Sequence, residues 1–161
     1  MKIELDIREL ESSATRKRDE LGDLSRPMRE IAEIMDQRVR DTFRLEEDPW
    51  GNSWPGHAAS TIRKRNKAGN YSAQVLVDST ALFTSITPTW DSTSAAVSAG
   101  KGASAEYAQV HQFGLKAGRG AGFTMPQRAF MPIATVGGEA ELPPDWWLDI
   151  VQPLNEFLDQ E

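Results

Sequence analysis

Between Ser25 and Leu45 apolar residues return every three or four positions, at Met28, Ile31, Met35, Val39 and Phe43, with Arg and Glu on the opposite face. That period predicts an amphipathic helix whose apolar stripe other elements must cover. Ser25 is placed to cap it, Pro27 suits its first turn, and the helix should stop before Pro49. Ahead of it, Ile3, Leu5 and Ile7 alternate with polar residues as a strand does. Glu9 to Asp23 is highly charged with few residues to bury, which reads as a solvated helix or linker; residues 1–24 together form a charged N-terminal arm.

Further along, His57 to Lys67 reads as a short helix carrying Ala58, Ala59 and Ile62, closed by a glycine stop in Ala68-Gly69-Asn70. Val75-Leu76-Val77 is strand-like, and Ser79 is positioned to cap a helical turn with Leu82, Phe83 and Ile86 facing inward. Trp90 and Ala95 to Ser98 resemble the arms of a hairpin across the polar turn Asp91 to Ser94. A further helix is expected from about Ala103 to Phe113, ended by Gly114. Residues 114–124 are rich in glycine and without periodicity, the pattern of a mobile loop. Pro144 can open a last helix with a stripe of Trp147, Ile150, Val151, Leu154 and Leu158, kinked or divided at Pro153; residues 143–161 then form an amphipathic tail. The order of elements predicts one α+β domain over 1–161, with a small antiparallel sheet packed against the long helix.

Composition narrows the functional classes. The 161 residues are enough for one core, and 18 basic against 24 acidic side chains leave a net charge of −6. An acidic chain has no general attraction for nucleic acid or an anionic membrane surface. Cysteine is absent, which removes disulfides, thiolate metal sites and cysteine nucleophiles. Every apolar run is interrupted well short of the ~20 residues a membrane span needs, and the N-terminus lacks the apolar core of a secretory signal. The expectation is a soluble protein made inside the cell, without contact to a membrane.

The candidate chemistry is sparse. His111 has only His57 as a fellow histidine, so a hydrogen-bonded structural role is expected rather than a zinc site. Glycines 118, 120 and 122 lack the Gly-Lys-Ser/Thr that a phosphate loop requires. Glu46-Glu47 is an adjacent acidic pair on a charged segment, with no second carboxylate site to complete a glycosidase. No nucleophile, base and oxyanion donor come together, so no enzymatic activity and no cofactor are expected. Arg63-Lys64-Arg65-Asn66-Lys67 is the one basic cluster; a solvated helix face is the first reading, a nucleic-acid-binding face the alternative. For Trp50 and Trp54, packing is the first reading and interface anchoring the second. Arg128, between Pro126 and Phe130, suits a salt bridge or bonds to loop carbonyls, with a passing contact with DNA as the minor alternative.

Four segments, in order, carry a resemblance. A helix ending in Phe43 leads into an acidic Pro-x-Gly-x-x-Trp turn (Asp48, Pro49, Gly51, Trp54), then Thr61 and a basic helix; Leu76 to Ile86 contains Leu82, Ser85 and Ile86; Tyr107, His111, Gln112, Phe113 and Gly114 form a third segment; Pro126, Arg128 and Phe130 form a fourth. This arrangement resembles the phage virion morphogenesis family of Mu-like tail completion proteins, with Thr80 standing where that family usually has glycine. The resemblance implies a structural protein of phage or prophage particles, located at the neck or tail end and in the host cytoplasm during assembly. It implies action in tail completion or head–tail joining as a ring-shaped homo-oligomer that contacts tail-tube and head-connector proteins. It assigns structural or interface roles to Phe43, Pro49, Gly51, Trp54, Thr61, Leu82, Ser85, Ile86, Tyr107, His111, Phe113, Gly114, Pro126, Arg128 and Phe130.

Overall fold

A computed structural model describes residues 1–6, 23–69, 74–77, 80–102, 104–118, 122–135 and 138–159. The apolar stripe of the long helix organises them. Helix α1 (Ser25–Leu45) buries Met28, Ile31, Met35, Val39 and Phe43, the residues that its sequence period selects. It lies against a three-stranded antiparallel sheet of β1 (Lys2–Asp6), β2 (Thr87–Trp90) and β3 (Ser94–Ser98) in the order β1-β3-β2. In the centre, β3 pairs Ala96 with Glu4 on one side and Thr89 on the other. Ala95, Ala96 and Val97 are all buried, and side chains this small let the helix approach the strand closely. The β2–β3 hairpin is held at its turn by Asp91, whose carboxylate accepts from the N–H groups of Thr93 and Ser94. Those bonds keep Asp91 below the usual carboxylate range.

The remaining helices are α2 (Ala59–Lys67), α3 (Ala81–Thr84), α4 (Ser104–Phe113) and α5 (Pro144–Asp159); β4 (Lys116–Ala117) and β5 (Phe123–Thr124) pair as a small second sheet. The α+β architecture and the long helix on a small antiparallel sheet agree with the sequence pattern. Several local expectations do not. Ser25 is the first residue of α1 rather than its cap; Leu24 holds the cap position without a side-chain bond, and the Asp23 carboxylate before it accepts from the Ser25 N–H at 2.9 Å. Bonds from the Ser25 side chain and N–H hold Asp23 below its ordinary pKa. Val75 and Leu76 form a turn instead of a strand, because Leu76 has φ +62° and so cannot continue an extended chain. Both are nevertheless buried, which is what their apolar character demanded.

In the glycine-rich loop, the flanks pair as β4 and β5, so regular structure extends further into it than the composition indicated. Helix α5 runs through Pro153 without a break. Its buried residues are Trp146, Ile150 and Pro153, with Phe157 half-buried, a stripe rotated from the expected one; Trp147 faces outward. Pro153 sits on the packed side, where its missing N–H needs no water and its ring adds apolar surface against α1. Arg38 of α1 fastens α5 by ion pairs to Asp145 and Asp149. Residues 7–22, which include Ile7 and most of the segment read as a charged arm, lie outside the described residues, as does Ser79.

One buried side chain of helix α4 satisfies the main chain of residues 130–133. Gln112 is fully buried; its amide nitrogen donates to the carbonyls of Met131 (2.7 Å) and Ile133 (2.8 Å), and its oxygen accepts from the N–H groups of Phe130 (3.0 Å) and Met131 (3.1 Å). All four bonding positions of the amide are used, on a segment with no helix or strand ladder of its own. Gln112→Leu should therefore strand three buried main-chain groups, while the Met131 carbonyl keeps its bond from the Ile133 N–H, and lower stability by about 3–5 kcal/mol. Urea denaturation measures it, and a loss below ~1 kcal/mol would show that the clasp is dispensable.

Candidate functional site

The loop after α1 is shaped by its own polar groups. Glu46 turns the chain through a left-handed conformation (φ +56°), and its carboxylate accepts from the Val75 N–H at 2.6 Å. Asp48 accepts from the N–H groups of Trp50 and Asn52, both at 2.9 Å, closing a tight turn in which Gly51 has φ +83°. Glycine adopts that value without the steric cost another residue meets. Pro49 is buried, whereas Trp50 points outward with 42% of its surface exposed. Trp54 goes inward: its indole N–H donates to the Ala129 carbonyl at 2.8 Å and its ring meets Phe43 edge-on at 5.5 Å. Phe43 also packs against Phe83 and Phe130, so three aromatic partners surround the last turn of α1.

Beyond Trp54 the loop reaches Arg128. This guanidinium is 5% exposed and donates to the carbonyls of Pro55 and Gly56, each at 2.7 Å, while its N–H donates to the His111 carbonyl. Of the three roles open to Arg128 in the sequence, bonding to loop carbonyls is the one observed, and no ion pair to it occurs among the described residues. Burial lowers its pKa, an effect opposed by Tyr107 and Glu46 nearby. Gly114 ends α4 with φ +64°; a Cβ there would lie 3.2 Å from the Met125 carbonyl and Gln127, so only glycine lets the 125–128 segment fold back.

Together α2, α4 and residues 123–128 enclose a cleft of about 750 Å³. Thr61, Tyr107, His111, Pro126 and Arg128 all line it, five of the residues that sequence resemblance singled out. The others build the frame: Phe43, Trp54, Leu82, Ile86 and Phe130 are buried, and Phe113 is half-buried. Ser85 donates to the Leu82 carbonyl and accepts from the Gly100 N–H. Helix α2 buries none of its residues, and Ile62, Arg63, Lys64 and Lys67 are presented to the outside, while Arg65 is half-buried and donates to the Gln74 carbonyl.

His111 departs from expectation. It is 2% exposed, yet neither ring nitrogen has a hydrogen-bond partner. Its ring stands 4.3 Å from that of Tyr107, in a site that apolar burial and Arg128 leave without an acceptor. Desolvation, with the Arg128 charge second, pushes the imidazole down to about 4, so it stays neutral. No group of residues suited to a metal ion occurs among those described. Gln112 stands in the third segment of the resemblance, yet the sequence assigns it no role, because a polar side chain within a mixed helix gives no periodic signal of burial.

The frame and the cleft follow the order of one family. Residues 5–140 match the phage virion morphogenesis family. The chain belongs to that family. It is therefore a structural protein of phage virions, of a kind not known for enzymatic activity. No curated protein and no solved structure gives a significant match. Thr80, at the position where the resemblance leads one to expect glycine, has φ +58°, the left-handed conformation that glycine adopts freely. Among the described residues no helix is long and apolar enough to cross a membrane.

Because folded His111 rejects a proton that the unfolded chain accepts below its ordinary value near 6.5, stability is complete above that pH. It falls as the pH drops toward about 4, by up to ~1.4 kcal/mol per unit. Denaturation at pH 7 and pH 4.5 should show a smaller acid loss for His111→Phe than for the wild type. Equal losses would mean that His111 does not titrate in this window.

Proposed function

We propose that this virion protein acts at the end of the tail, in tail completion or head–tail joining, by self-assembly and protein contacts without a chemical step. The observation that carries the reading is that five of the family's residues, drawn from three segments, line one open cleft, while Phe43, Trp54, Leu82, Ile86 and Phe130 are buried beneath it. Such a cleft offers a binding surface, and its polar side chains do not form a nucleophile–base pair. The acidic pair considered for catalysis has a structural use, since Glu46 is bonded to the Val75 N–H. The partners in this reading are further copies of the chain and the tail-tube and head-connector proteins.

A second reading is favoured by one feature: α2 buries none of its residues and holds Arg63, Lys64 and Lys67 in solvent. A nucleic-acid contact would use this face rather than the enclosed Arg128. It predicts affinity that falls steeply with salt. The net charge of −6 weighs against it.

Deleting the gene from a particle-forming lysogen tests the first reading. Electron microscopy of the lysate should show filled heads and separate tails, and adding the purified protein should restore joined particles. Normal particles from the deletion strain would contradict a role in joining, and purified protein that binds DNA in a salt-dependent manner without restoring particles would support the second reading.

A further inference from the structure

The cleft and the Trp50 turn are opposites in chemistry. Lys64, Arg65 and Arg128 line the cleft, and none of its described lining residues is a carboxylate. Its mouth is apolar, with Phe123 61% exposed and Tyr107 43% exposed. At its wall His111 is buried with both ring nitrogens unpartnered, so the fold leaves a hydrogen-bond donor and an acceptor there unused. Buried polar atoms without partners are costly and rare in a finished structure, which marks the cleft as a place where a further group belongs.

A second hollow, of about 400 Å³, lies where the end of α1 meets the start of α5. Asp41, Glu47, Asp48 and Asp145 line it, and its one cation, Arg38, is paired to Asp145 and Asp149. Leu45 is 64% exposed beside it, and Trp50 stands at its edge. The turn that presents Trp50 is already fixed by the Asp48 bonds and by Gly51, so little freedom is lost when the indole is buried by a partner. Tryptophan on a rigid turn is the kind of anchor that dominates binding energy. The two hollows share no lining residue.

We propose that the basic cleft of one copy receives the Trp50 turn of a second copy. The aromatic mouth accepts the indole, and the cleft's cations face the acidic rim around Glu47. Because the two surfaces differ, the contact is heterologous: each copy has one of each still free after pairing, and the chain extends until it closes into a ring or continues as a filament. This deepens the self-assembly reading above and rests on it.

Light scattering or sedimentation of three proteins tests the contact. The wild type should form a multimer. A cleft variant, Lys64→Glu with Phe123→Ser, and a turn variant, Glu47→Lys with Trp50→Ala, should each remain monomeric, with association weakened at least about ten-fold. Mixing the two should yield a 1:1 dimer and nothing larger, since that pair retains one intact cleft and one intact turn. Near-UV circular dichroism confirms folding, and any double variant that fails this is replaced by the single change Lys64→Glu or Trp50→Ala. A wild type that stays monomeric overturns the contact, while the particle assay still decides the role in joining. Variants that assemble like the wild type, or a mixture that stays monomeric, overturn this interface and leave self-assembly by another surface standing.

Discussion

One buried amide fixes the segment on which the core and the cleft both depend. The segment Phe130–Ile133 has no helix ladder to satisfy its main chain, yet it passes through the core beside Phe43. Gln112 supplies the missing bonds, two as donor and two as acceptor, and so converts an irregular strand of chain into a packed layer. Phe130 is thereby fixed against the last turn of α1, and Arg128, two residues earlier, is fixed at the wall of the cleft. The same helix turn that carries Gln112 into the core carries His111 to the cleft. The position of the cleft is a consequence of how the core is closed.

The loop after α1 makes the corresponding link from the other side. Its start presents Trp50, its middle buries Trp54 between Phe43 and the Ala129 carbonyl, and its end supplies the two carbonyls that hold Arg128. Two tryptophans four residues apart thus do different work. A rigid loop with one aromatic ring in the core and the other in solvent gives an anchor whose position is set by the fold itself.

Much of this was legible in the residues. The period of Met28, Ile31, Met35, Val39 and Phe43 specified both the helix and its buried face, because a 3.6-residue repeat over about four turns has no good alternative. The β2–β3 hairpin followed from the polar turn at Asp91. What was not legible depended on tertiary context. The α5 stripe falls on Trp146 rather than Trp147 because adjacent tryptophans give no phase, and packing against α1 chooses between them. Val75 and Leu76 have the composition of a strand, but the positive φ of Leu76 is set by the neighbours that bury it. The five cleft residues come from three separate segments, and nothing in their spacing shows that they meet. Gln112 and the unpartnered ring of His111 are visible only once burial is known.

The structure describes a chain whose frame is complete by itself and whose cleft is not. Hydrogen exchange, followed in the isolated chain and in assembled particles, tests that division directly. The amides of Phe130 and Met131, bonded to Gln112, should already be slow in the isolated chain and unchanged by assembly, while amides around Trp50 and in α2 should slow markedly in the particle. Fast exchange at Phe130 and Met131 in the isolated chain, or protection on assembly that spares both α2 and the Trp50 turn, would contradict it.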